Sequence, residues 1–198
     1  ADLARALAAA LRAERLQLSV ERLEKAEQLQ RALYAIADMA SSDLEMPDML
    51  KGIHEIVGTL MYAENFFIVL YSEANQTLRF IYFRDSVDLV SPDPGREIPV
   101  SEVENSVTLA VIRLRRSLMG PSSAIRAEFN VARDDLLGPD SEDWLGVPMI
   151  AGSEVRGAVV VQSYDKAGRY TEEHRALLGY VAQHILPALE RKQHQAEL

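Results

Sequence analysis

The chain has 198 residues, a formal net charge of −9 and no cysteine. The acidic balance supplies no basic field to gather phosphate backbones, which argues against nucleic acid as a direct ligand. The missing thiols exclude disulfides, thiolate nucleophiles, cysteine-ligated zinc, iron–sulfur clusters and thioether-linked chromophores.

No apolar run approaches the roughly 20 residues of a membrane span, and no signal-peptide pattern opens the chain. A cytoplasmic protein with no membrane partner is expected. The hydrophobic share of 48% is enough for one core of ordinary size. The first residue is Ala1 and the last segment is still helical in character at Leu198, so a piece of a longer chain is expected.

From Ala1 to Met46 there is neither proline nor glycine, and Ala, Leu, Glu, Arg and Gln dominate. These are the strongest helix formers, and they predict one long helix to about Ala40. Ala9, Ala13, Leu16, Val20 and Leu23 alternate four and three apart, as a coiled-coil seam does. Leu29, Leu33, Ile36 and Ala40 continue in a shifted register after a slip near Ala26. A helix of about 40 residues is about 60 Å long and overhangs any domain that this chain can build. The eight residues from Ala9 to Ile36 are therefore expected to form a homodimer seam, although packing on the chain's own domain also suits Leu29 to Ala40.

Pro47 and Asp48 open a second helix in first-turn positions that favour proline and acid. Its apolar residues recur at helical spacing through Tyr62. NFFIVLY (65–71) and TLRFIYF (77–83) are aromatic and β-branched runs separated by turn formers, which predicts a hairpin. Residues 86–99 carry three prolines and a glycine and predict a loop. A helix follows over 103–116 with a cationic end, then a short strand near 117–119 and a helix or loop over 123–137. Trp144–Ile150 and Glu154–Tyr164 predict a second hairpin. The latter strand is apolar at both parities, the mark of a central strand covered on both faces. Gly157 and Ala158 either leave room for a ligand or allow close packing. Thr171 is a predicted N-cap for a last helix with Pro187 inside it, bent near Gln183.

This order of elements is an α+β arrangement around one antiparallel sheet flanked by helices. DWLGVPMIAGSEVRGAVVVQSYD (143–165), followed by RYTEEHRALLGYVAQHI (169–185), resembles the second half of GAF domains from bacterial signalling proteins. MLKGIHEIVGTLMYAENFFIVLYSEANQTLRFIYF (49–83) is similar to their first half. The nearest likeness is to cytoplasmic modules that precede a GGDEF diguanylate cyclase or a histidine kinase. The resemblance implies a signalling helix over 1–42, a GAF sensor domain over 43–186 and the start of an output linker helix over 187–198. It also implies terminal helices on one sheet face and a small-molecule pocket on the other. The middle departs from the family, with no glycine from Glu97 to Met119. The Asn-Lys-Phe-Asp-Glu signature of cyclic-nucleotide-binding members has no convincing counterpart. Bilin attachment and methionine sulfoxide reduction rely on cysteine in this family, and the chain has none.

Tyr71, Tyr82, Trp144, Gln162 and Tyr164 sit on predicted strands and combine an apolar body with a polar tip, as pocket-lining residues do. Core packing is the competing reading. His54 falls on the polar side of its helix, and none of the four histidines stands in a metal-ligand spacing. Asp134, Asp135, Asp140, Glu142 and Asp143 are expected to form a solvated acidic surface. No metal site, catalytic residue or cofactor is implied. The expected function is a non-catalytic sensory module, homodimeric through its terminal helices, that relays a ligand- or partner-dependent change in cis to a C-terminal output, foremost a diguanylate cyclase. The alternatives are a ligand-free dimerisation scaffold and the sensor of a histidine kinase.

Overall fold

The computed structural model describes residues 1–88 and 91–197. Leu89 and Val90, within the stretch predicted as a loop, and Leu198, where the outgoing helix is predicted to continue, lie outside the described residues.

Helix α1 runs from Asp2 to Ala40 without a break. Residues 1–28 are exposed, and up to Lys25, which pairs with Glu173 of the domain at 3.3 Å, about 35 Å of helix stands clear. From Leu29 onward the helix docks. Ala32, Ile36 and Ala40 are buried, and Leu29, Leu33 and Met39 pack against the same core. This corrects the predicted seam: Leu29, Leu33 and Ile36 lie on the stripe that faces their own domain. Ala9, Ala13, Leu16, Val20 and Leu23 remain exposed.

Helix α2 (Met46–Leu60) carries Pro47 in its first turn and buries Met49, Leu50, Ile53 and Val57. Strands β1 (Asn65–Ser72) and β2 (Thr77–Arg84) form the first hairpin. The edge strand β3 (Ile98–Pro99) is followed by a 3-10 turn over Val100–Glu102. Helix α3 is shorter than predicted, Val107–Leu114, because the Ser106 hydroxyl caps it by accepting from the Leu109 N–H. Strand β4 (Leu118–Gly120) and helix α4 (Ser122–Phe129) follow. Strands β5 (Asp143–Ala151) and β6 (Glu154–Ser163) make the second hairpin, turned at Gly152 with φ +62°. Helix α5 spans Glu172–Glu197 with Pro187 inside it.

The sheet order is β3-β2-β1-β6-β5-β4, antiparallel throughout. Strand β6 lies inside the sheet between β1 and β5, as its two-sided apolar run predicts. Val159 and Val161 point to one core with α1, α2 and α5. Ala158 and Val160 point to a second core with α3 and α4. Gly157 decides the open choice in favour of close packing: a Cβ there would lie 2.1 Å from the Val69 carbonyl oxygen on β1.

The incoming and outgoing helices are bonded at one end. Arg191 Nη2 of α5 donates to the Ala40 carbonyl (2.8 Å), and Lys192 Nζ donates to the carbonyls of Ser42 (2.9 Å) and Leu44. These cations satisfy acceptors at and just beyond the C-terminus of α1, where no further helical N–H reaches. At its other end α5 starts as predicted: the Thr171 hydroxyl accepts from the His174 N–H (3.3 Å), and the Thr171 N–H donates to His174 Nδ1 (3.1 Å). This is a capping box with histidine in the place of glutamate.

Candidate functional site

The face of the sheet opposite α1, α2 and α5 is only partly filled by the second core. It borders a half-open cavity of about 650 Å³, inside the usual range of small-molecule sites, about 300–1,000 Å³. Strand residues Phe67, Leu78, Phe80, Phe83 and Trp144 form the floor, and Val103, Val107, Leu136 and Leu137 line it from the connecting segments. The rings of Phe67, Phe80 and Phe83 are in mutual contact, with centroids 5.5–6.2 Å apart. Trp144 is only 4% exposed. Its indole lies over Gly146, where a Cβ would fall 2.3 Å from the ring. Glycine two residues along the same strand face is thus what lets the ring lie flat.

One corner is polar. Asp85 Oδ2 accepts from the Tyr164 hydroxyl (2.8 Å) and from Gln162 Nε2 (3.4 Å). Asp85 Oδ1 accepts from the backbone N–H groups of Val87 (2.9 Å) and Asp88 (2.7 Å), an Asx turn that pins the loop after β2. Burial pushes the Tyr164 phenol well above its ordinary value, and the hydrogen bond to Asp85 and the charges of Asp85 and Asp88 push it further. Tyr164 is therefore a permanent donor near neutral pH.

Arg126 of α4 holds another wall. Its side chain is 12% exposed and Nε donates to Asp140 (3.1 Å), while Nη1 donates to the carbonyls of Asn105 (2.5 Å) and Ala132 (2.9 Å). One guanidinium thus ties together the start of α3, helix α4 and the 130–140 segment. The other arginine of the lining, Arg96, pairs with Glu102 at 3.1 Å. Two further lining residues, Trp144 and Thr108, are 4% and 6% exposed, and among the described residues the indole N–H and the hydroxyl have no protein hydrogen-bond partner, although neither atom is sealed from solvent.

Of the five pocket residues predicted, Trp144, Gln162 and Tyr164 come together here. Trp144 and Gln162 are directly paired across β5 and β6, and Tyr164 follows on the same face. Tyr82 does not join them. The pairing of β1 with β2 slips between Ile68 and Val69, so Ile81 is an extra residue in β2 and Tyr82 turns to the helix face. There Tyr82 packs edge-on against Phe66 and its hydroxyl donates to His54 Nδ1 (2.6 Å). Tyr71 borders a separate hollow of about 590 Å³ at the end of the first hairpin, near Leu186, Leu189 and Glu190 of α5.

His54 is likewise not on a wet face. Its ring stacks on Phe66 at 4.7 Å and Nε2–H donates to the Ala63 carbonyl (2.5 Å), so the neutral imidazole satisfies both partners. The acidic stretch is not uniformly solvated either. Asp143 is buried and accepts from the N–H groups of Trp144 (3.1 Å) and Tyr170 (2.9 Å), and Asp140 pairs with Arg126. Sequence reasoning missed Asp85, Thr108, Arg126 and the phenylalanine floor. The alternation of Phe67 with Val69 and of Leu78 with Phe80 carried the floor. Asp85 carried a turn signal as the acid two residues past Phe83, and nothing local marked Arg126.

The family model of the GAF domain matches residues 43–190. Among curated proteins no relative matches the chain. The GAF domain of a Coxiella burnetii phosphoenolpyruvate-protein phosphotransferase superposes with a TM-score of 0.68 at 14% identity, covering 87% of this chain and 99% of that one. The corresponding domain from Acinetobacter gives 0.64 at 16% identity, covering 86% and 95%. The GAF domain of a Bacillus halodurans two-component sensor histidine kinase gives 0.57 at 15% identity, covering 77% and 98%. Identities this low establish a common fold, and the family match covers most of the chain: it belongs to the GAF domain family, sensory and regulatory modules of signalling proteins.

Proposed function

We propose that this domain is a non-catalytic ligand sensor that dimerises through the free part of α1 and passes a ligand-dependent change to an output domain that follows α5. The observation that carries the reading is the cavity: a half-open space of about 650 Å³ bordered by two polar groups, on Trp144 and Thr108, that lack a protein partner among the described residues. A bound molecule supplies partners to both groups in place of water. A scaffold with a collapsed pocket gains nothing from such an arrangement.

Dimerisation is supported by the stripe of Ala9, Ala13, Leu16, Val20 and Leu23, whose two leucines are 67% and 71% exposed. Pairing the stripes of two copies removes that surface from water. The helices that enter and leave the domain share one core and are bonded side by side, which supports relay between α1 and α5 and onward. The output is proposed to be a diguanylate cyclase on the resemblance of the sequence. The likeness to the histidine kinase domain from Bacillus halodurans supports a kinase output as the second reading.

Native mass spectrometry of the whole chain tests both halves. A dimer carrying extra small-molecule mass is expected, and Leu16→Asp with Leu23→Asp is expected to give folded monomer that retains the bound mass. A wild-type protein that stays monomeric at high concentration sinks the dimer. Failure of any metabolite panel to raise the melting temperature sinks the sensor.

A further inference from the structure

The charges around the cavity are unevenly matched. Arg96 is paired with Glu102 and Arg126 with Asp140. Asp85 instead is held, among the described residues, by neutral donors: the Tyr164 hydroxyl, the Gln162 amide and two backbone N–H groups. Its carboxylate meets the Tyr164 hydroxyl at 2.8 Å, so this corner of the cavity is negative while the floor beside it is aromatic. A carboxylate in a partly dry site attracts a cation much more strongly than one in water. Aromatic faces attract cations as well.

We propose that the cavity selects a small organic cation: a protonated amine at Asp85, an apolar or aromatic body over Trp144 and Phe80, and an acceptor atom for the Trp144 N–H or the Thr108 hydroxyl. These two groups belong to residues more than nine-tenths buried, have no protein partner among the described residues and border the same space, so they point to a ligand independently of the acids. The inference rests on reading the cavity as a ligand site and adds the sign of the ligand's charge. Among the described residues of the lining an anion has no free cation to meet, because both arginines already hold carboxylates. A neutral molecule of the same shape forgoes the charge-assisted bond.

Trp144 is the only tryptophan in the chain, so its fluorescence and its single indole N–H resonance report occupancy without ambiguity. Three probes of matched shape serve: 4-phenylbutylamine, 4-phenylbutanol and 4-phenylbutyrate, each titrated against the whole protein. The amine is expected to shift the indole signal with an affinity about tenfold or more above the alcohol, and the butyrate to bind weakest. Asp85→Asn is expected to erase the preference for the amine. Tyr164→Phe keeps the carboxylate and is expected to keep the preference, which covers the case in which Asp85→Asn loosens the loop.

Alcohol or butyrate binding as tightly as the amine overturns the choice of charge and leaves the ligand site standing. So does an amine preference that survives in folded Asp85→Asn protein. No change in the indole signal with any probe at saturating concentration overturns both the cation proposal and the ligand site beneath it.

Discussion

Ile36→Ala is the sharpest probe of how α1 is divided between its own domain and a partner. Ile36 is fully buried in the core shared with α2 and α5. Removing its buried side chain down to alanine costs about 2–5 kcal/mol, the transfer of the lost groups plus the cavity left behind. For a chain of this size about 1 kcal/mol moves the melting midpoint by roughly 2–4 °C, so a loss of about 3 kcal/mol lowers it by roughly 6–12 °C. Leu23→Ala is the internal control on the same helix. Leu23 is 71% exposed, and within one copy its truncation changes stability by less than about 0.5 kcal/mol. If the seam pairs two copies, the Leu23 variant loses stability through the dimer, and the loss then depends on protein concentration. Urea or thermal unfolding at two concentrations about a hundredfold apart separates the two contributions. An Ile36→Ala midpoint indistinguishable from wild type refutes the docking of the second half of α1. An Ile36→Ala deficit that disappears at high concentration refutes its intramolecular character.

Gly157→Ala sets a methyl against the Val69 carbonyl oxygen at 2.1 Å, a backbone atom that cannot move without parting β1 from β6. About 1–3 kcal/mol of destabilisation is expected in urea unfolding, and a neutral variant contradicts the close approach. Arg126→Met removes the bonds to Asn105, Ala132 and Asp140, so amide exchange over 130–141 is expected to quicken while β1 and β6 stay protected; unchanged exchange there rules out the clamp. Burial lowers the His54 value below its ordinary 6.5, against the bond to the Ala63 carbonyl, which raises it. At pH above 6.5 both folded and unfolded imidazoles are neutral. As the pH falls through 6.5 the unfolded chain takes up a proton that the folded chain resists, so stability is lost toward the lower folded value. The wild type is expected to lose more stability than His54→Gln between about pH 7 and pH 5, and parallel curves exclude His54 as the cause.

The elements that sequence periodicity located well are those whose pattern is dictated by one nearby surface. Helix α1 was legible because no proline or glycine interrupts the helix formers that precede Ala40. Strand β6 was legible because Val159, Val160 and Val161 fill both parities, and both faces of that strand are in fact covered. The dividing line within α1 was not legible from spacing alone. Leu29, Leu33 and Ile36 have the same three-and-four alternation as Ala9 to Leu23, and only the position of α2 and α5 decides which stripe meets its own core. Charge partners at long range were equally hidden: Arg126 meets Asn105, and Tyr164 meets Asp85 across 79 positions of sequence.

Tyr82 shows how a single inserted residue defeats a face assignment that is otherwise sound. With strict alternation Leu78, Phe80 and Tyr82 share one face of β2, and that face is the cavity. The extra residue at Ile81 reverses the parity of the rest of the strand, sending Tyr82 to His54 and returning Phe83 to the cavity floor beside Phe80. A bulge of this kind is favoured by the side chains it places on each face. Without it the phenolic hydroxyl enters the apolar floor, while His54 Nδ1 loses its donor in the helix-side core. Phe83 then leaves its contacts with Phe67 and Phe80. The site's chemistry depends on that slip as much as on residue type, because Asp85 reaches Tyr164 and Gln162 only after β2 has made the extra step.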